Sequence, residues 1–309
     1  MPTHIHIQYP THLSTTSGIK FETYRFYLAC FRDHLLMEYK DLPGFIAKSP
    51  ELLASVKSSQ SIDPAPIEPH LRIAWNTEFL LSIDHGDPDI VRINNQWATI
   101  QAYYAVYSGL EALAYALDGH LPKSHSKAQR KCSDYLINLG ISPWDKAFRG
   151  AEGKSGSAHK PVNFPSSLAI PHNLQRSGVD PLGMIARCLK AEHSHRIDDK
   201  WRNKKESGCF KYQYKPGPTT LLHFLYRLRI KSNYQEIDAF VSQAPQHEIL
   251  DFAQALQALT SWSLALFEMI LMRRLGTQPV KDLAQKYMAA NPSAAKLGAR
   301  LAEYSKVLP

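Results

Sequence analysis

The stretch IQAYYAVYSGLEALAYAL, Ile100 to Leu117, decides the fold class. Ile100, Tyr103, Tyr107, Leu110, Ala114 and Leu117 step by three and four, which puts them on one face of a long helix. Gly119 follows, a residue suited to ending it. Working outward, the same periodicity predicts helices from Phe21 to Tyr39, from about Thr219 to Val241 and from about Ile249 to Leu275. Asp180-Pro181 reads as an N-cap with proline at the first helical position of a helix through Leu189. Pro43-Gly44 reads as a breaker, and the Pro/Gly/Ser-rich segments Ser58–His70 and Gly150–Pro171 as loops. Only HIHIQ, His4 to Gln8, alternates as a short strand does. The expectation is an all-α protein.

Charge adds organisation to this reading. The formal charge of +8 is unevenly spread. Trp144 to Lys215 holds 14 Lys/Arg against 7 Asp/Glu, and Arg273 to Pro309 holds 7 against 2, so the rest of the chain is mildly acidic. Clusters of this kind suit a polyanionic partner, because phosphates are the common target of grouped Lys and Arg. An apolar content of 44% excludes disorder throughout. Cys30, Cys132, Cys188 and Cys209 form no CxxC pair, which speaks against a zinc site or disulfide framework and fits reduced thiols. The first residues lack the pattern of a signal peptide. The most apolar C-terminal stretch is interrupted by Glu268, Arg273 and Arg274, so no membrane span is expected. These features predict a soluble, cytoplasmic protein. AEGKSG, Ala151 to Gly156, lacks the full phosphate-loop pattern, and no cofactor is implied.

The run NNQWATIQAYYAVYSGLEALAYALDG (Asn94 to Gly119), with its Tyr103-Tyr104 pair and the following PKSHS (Pro122 to Ser126), resembles the second helix of a HEPN domain. YRLRIKSNYQEID, Tyr226 to Asp238, then resembles that family's later helix, and Asp251 to Leu275 its closing one. The resemblance covers about a third of the chain. It implies a HEPN-like bundle over 94–275, interrupted by a basic insertion at about 144–215. An N-terminal helical extension (1–93) and a basic C-terminal helical tail (276–309) would flank it. It also implies RNA as partner, a homodimer, and a setting in bacterial defence or a toxin–antitoxin system with an antitoxin-like protein partner. Many members of that family cleave RNA without metal, using an arginine followed after four to six residues by a histidine. Histidine suits the base that activates a ribose 2′-OH, and arginine's fork suits the charge growing on phosphate.

Here the pattern departs, because Arg229 is followed by Ile230 to Asn233 and then by Tyr234. An unperturbed phenol titrates near 10 and is a poor base at neutral pH, though it can donate to phosphate or stack on a base. RNA binding is therefore the first expectation. A metal-independent endoribonuclease using Arg229 with Tyr234 or His193 is the alternative, and a helical protein-interaction module is the third. His193 enters because RCLKAEH, Arg187 to His193, has the family's spacing in the wrong segment. Phosphate contacts are expected from Arg196, Lys200, Arg202, Lys204 and Lys205 around a stacking Trp201, and from Arg227 and Lys231 beside Arg229. His193 and His195 with Asp198 or Asp199 lack an obvious third metal ligand, so no metal is expected. Glu111 is expected to pair with Arg229 inside the bundle.

Overall fold

The computed structural model describes residues 16–59, 62–83, 87–150, 159–172, 180–206, 217–240 and 244–308. The first helix, α1 (Thr16–Tyr39), contains the run expected from Phe21. Pro43 then opens a helix instead of ending one. At the start of α2 (Leu42–Ala47) the Asp41 carboxylate accepts from the Gly44 N–H at 2.7 Å. A proline in the first turn gives up only an N–H that has no partner within the helix. After α3 (Ser49–Leu52) and a 3-10 turn (Ala65–Ile67) comes α4 (Glu68–Leu81), which begins inside the segment expected to be loop.

The decisive stretch lies within α5 (Pro88–Asp118), a helix of 31 residues. Asp87 caps its start with Pro88 in the first turn, and Gly119 ends it in the left-handed region at φ 77°. α6 (His125–Leu139) begins at an N-cap serine, Ser124, and stops at Gly140 in the same way.

The described part of the basic insertion contains a ribbon and a long helix. Ala147–Gly150 (β1) and His159–Val162 (β2) form a two-stranded antiparallel ribbon, pairing Ala147 with Val162 and Gly150 with His159. α7 (Pro181–Glu206) starts at the expected proline and runs well past Leu189. The expected helix from Thr219 is broken into α8 (Leu221–Ile230), a π-type turn (Lys231–Gln235) closed by the Glu236 N–H on the Lys231 carbonyl at 2.7 Å, and α9 (Ile237–Phe240). Last come α10 (Gln246–Leu275), α11 (Thr277–Ala290) and α12 (Ala295–Val307). The fold is all-α apart from the ribbon. His4 to Gln8 and Val241 lie outside the described residues.

α10 is the central post. It packs against α5, α1, α4, α11, α12 and α2, and it is buried almost all round from Leu259 to Met272. It is long and apolar enough to cross a membrane, yet 89% of its most apolar window is covered by protein. A helix apolar on every side is a core helix when other helices enclose it. One apolar core runs from Phe21 to Leu308. The N-terminal helices and the C-terminal tail contribute buried residues to the same core as 94–275.

Gly109 of α5 lies tightly against α10. A Cβ there would lie 2.9 Å from Leu264 Cδ2 and 3.0 Å from Phe267 Cδ2, inside the roughly 3.5–4.0 Å at which carbons pack. Gly109→Ala is expected to destabilise by about 1 kcal/mol. Overpacking of ~1–3 kcal/mol is partly offset by ~1 kcal/mol of helix propensity. Urea unfolding measures it, and a stabilised variant would show that the two helices can separate without loss.

Candidate functional site

A cavity of about 960 Å³ opens where α6, α7 and α8 meet the middle of α5. The elements that surround it supply positive charge. α8 contributes Arg227 and Arg229, α7 contributes Arg196, and the first turns of α6 contribute Lys127 and Arg130. Ser124, His125 and Ser126 bring the amino end of α6 to the same wall. The first-turn amides of a helix have no partner within it, and they favour an anion at that end.

Arg229 holds the centre. Its guanidinium carbon lies 5.3 Å from the ring centroids of Tyr103 and Tyr104 and 5.8 Å from that of Tyr226. Three π faces position the cation without neutralising it. No carboxylate among the described residues lies at ion-pair distance from Arg229, and its buried Nε has no hydrogen-bond partner. Glu111, the expected partner, is instead committed to His70 at 3.1 Å and to the Tyr107 hydroxyl at 2.8 Å. The reason is distance. Glu111 sits two helical turns beyond Tyr104, about 10 Å along α5. Burial raises the Glu111 pKa, but the bonds from His70 and Tyr107 outweigh it and hold the carboxyl below its ordinary range.

A histidine does face this pocket, from an unexpected element. His125 Nδ1 shares a 2.8 Å hydrogen bond with the Tyr103 hydroxyl, and its ring stacks on Tyr107 at 4.0 Å. Tyr103 therefore touches both Arg229 and His125. Burial pushes the Tyr103 phenol well above its ordinary value, against the lowering effect of Arg229, so it stays protonated.

The other expected site residues separate into those the fold gathers and those it does not. Arg227 is gathered, with Glu192 at 3.2 Å. Arg196 is gathered too, and it donates to the carbonyls of Gly217 and Pro218 and to Thr219 Oγ1, which ties α7 to the start of α8. Lys231 is turned to Glu236 at 2.7 Å, a carboxylate that also holds Lys20 and the Tyr24 hydroxyl, and it lies outside the cavity wall. Tyr234 sits on the π-type turn, 65% exposed and outside the cavity.

His193 is a correction. It is fully buried, and its Nδ1 is bonded to Thr219 Oγ1 at 2.8 Å. Burial, with His159 and Arg196 nearby, pushes it down to about 4. It has no access to the pocket. Among the described residues no three metal-binding side chains cluster. Lys200, Trp201, Arg202, Lys204 and Lys205 fall on the last turns of α7, and their side chains lie outside the described residues. His125, Lys127 and Arg130 carried no sequence spacing that linked them to Arg229. The one local signal is the Ser124 N-cap ahead of a basic turn. Comparison with protein-family models, with curated proteins and with solved structures gave no match.

Proposed function

We propose that this protein binds RNA, with the cavity around Arg229 as its phosphate site and a HEPN-like bundle as its frame. The observation that carries the reading is Arg229 itself, a cation held by three tyrosines, with no carboxylate among the described residues at ion-pair distance, in a wall that also bears Lys127, Arg130, Arg196 and the Arg227–Glu192 pair. A guanidinium so placed is preorganised for a bidentate oxyanion, and phosphate is the oxyanion a basic cavity of this size meets along a polynucleotide. Homodimer formation and a role in defence or a toxin–antitoxin pair accompany this reading as its setting.

The test is binding of a labelled RNA by fluorescence anisotropy at two salt concentrations. If Lys127, Arg130, Arg196 and Arg229 neutralise three or four phosphates, affinity falls on the order of 20- to 50-fold between 50 and 200 mM salt. Arg229→Gln should weaken binding at least tenfold, the effect of losing a charge-assisted bidentate contact worth ~1.5–3 kcal/mol. Equal affinity of wild type and variant would remove the site from consideration.

A second reading is favoured by one observation, the sharing of Tyr103 by Arg229 and His125. An imidazole and a fixed cation thus line one cavity, the two groups that attack of a 2′-OH on phosphate calls for. Metal-independent endonuclease activity would then belong to Arg229 and His125, not to Arg229 with Tyr234 or His193. RNA incubated in EDTA with wild type, His125→Ala and Arg229→Gln separates the two readings, because binding alone yields intact RNA in every lane.

A further inference from the structure

Helix α5 carries an exposed face that the core does not explain. Ile90, Ile93, Trp97 and Tyr104 are spaced by three, four and seven residues, which aligns them along one side. They are 46%, 57%, 55% and 37% exposed. A large apolar side chain left in water singly is ordinary, but an aligned row marks an interaction surface. The row ends in the cavity, because Tyr104 is part of its wall, as is Tyr226, itself 38% exposed. Trp97 lies about 10 Å up the helix from Tyr104.

We infer that Trp97, Tyr104 and Tyr226 are stacking positions for unpaired bases, so that the nucleic acid held by the Arg229 cavity is single-stranded. This rests on the reading of that cavity as a phosphate site. Aromatic rings beside a basic groove are the means by which single strands are held without sequence readout, since every base offers a π face and only an unpaired one can present it. A duplex keeps its base faces inside the helix and would leave Trp97 uncovered. Charge selects this occupant over a second copy of the chain. The row runs into a wall bearing Lys127, Arg130, Arg196, Arg229 and Arg227, the last paired with the carboxylate Glu192, so its cations outnumber its anions. A second copy packed face to face would set these cations against themselves, and a polynucleotide brings the opposite charge.

The experiment compares three probes by anisotropy: ten-nucleotide oligoadenylate, the same backbone with abasic residues, and the oligomer annealed to its complement. Wild type, Trp97→Ala and Arg229→Gln are each measured, with their mass in solution from light scattering. The expected result is tight binding of the unpaired oligomer by wild type, with tenfold or greater losses for the abasic and duplex probes. Trp97→Ala should lose roughly tenfold on the unpaired oligomer and little on the abasic one. Equal binding of all three probes, with Arg229→Gln still weak, overturns the stacking positions and leaves the phosphate site standing. A Trp97→Ala variant that changes mass but not affinity assigns the face to self-association and also overturns them. A wild type that binds none of the probes overturns both readings.

Discussion

Arg300→Met is expected to destabilise the protein by on the order of 3–5 kcal/mol, the cost of stranding buried carboxylates when their cation is removed. Arg300 on α12 is fully buried and donates to Glu78 of α4 at 2.7 and 2.9 Å and to Glu268 of α10 at 2.8 Å through two nitrogens. Ser261 completes Glu78, while Trp75 and Tyr304 complete Glu268. Burial alone raises the Glu78 carboxyl, but Arg300 and its hydrogen bonds overcome that and hold it below its ordinary value. With methionine in place of arginine the two carboxylates can stay buried only by taking up protons. The loss should therefore shrink as pH falls toward 5, which a cavity alone would not do. Urea unfolding at pH 7 and pH 5 reads both effects. A loss under about 1 kcal/mol at pH 7 would mean that α12 is held by its apolar face and not by this cluster.

Acid should unfold the protein through its buried histidines before its exposed carboxylates titrate. His193 is pushed down to about 4, and His223, buried at the edge of the cavity, is pushed well below its ordinary value by burial and by Arg196 and His193. In the unfolded chain both titrate near 6.5. As pH falls through 6.5 the unfolded state takes up protons that the native state refuses, so stability drops from there down to the native value. For His193 that window runs from about 6.5 to about 4 and is worth roughly 3 kcal/mol. Asp33, Asp145 and Glu248 act in the opposite sense, since burial raises all three and the native state protonates them early. The contribution of His193 is isolated by His193→Gln, which can keep a bond to Thr219. Between pH 7.5 and 4.5 the wild type should lose about 2–3 kcal/mol more than the variant. Parallel pH profiles would show that His193 is protonated in the native state.

How far the sequence carried depends on whether the signal was local. The long helices were legible because period and breaker agreed, as with Ile100 to Leu117 ahead of Gly119. α7 was cut short in the reading because its apolar pattern ends near Leu189, although no breaker stands in its polar continuation to Glu206. The π-type turn after Ile230 was illegible. It is held by tertiary bonds, with Ser232 joined to Thr99 of α5, and Tyr234 on it is exposed outside the cavity that Arg229 lines. The site divides in the same way. Arg229, Arg227 and Arg196 stood out as local clusters, whereas His125, Lys127 and Arg130 reach the cavity only because α6 returns its amino end to α8. A spacing search on one helix cannot find a partner supplied by another.

The position of α10 in the chain has a consequence for biosynthesis. α1, α4 and α5 all bury their apolar sides against a helix that begins at Gln246. When α5 ends at Asp118, its post is still well over a hundred residues from being made. At ordinary translation speeds of ~5–20 residues per second, that leaves an interval on the order of ten seconds. Throughout it Phe21, which finally packs on Phe252, and the α5 backbone at Gly109, which finally meets Leu264 and Phe267, lack the surface that covers them. The nascent chain is thus a client for whatever shields apolar helices at the ribosome exit, and slowing translation between 119 and 245 should lower its soluble yield.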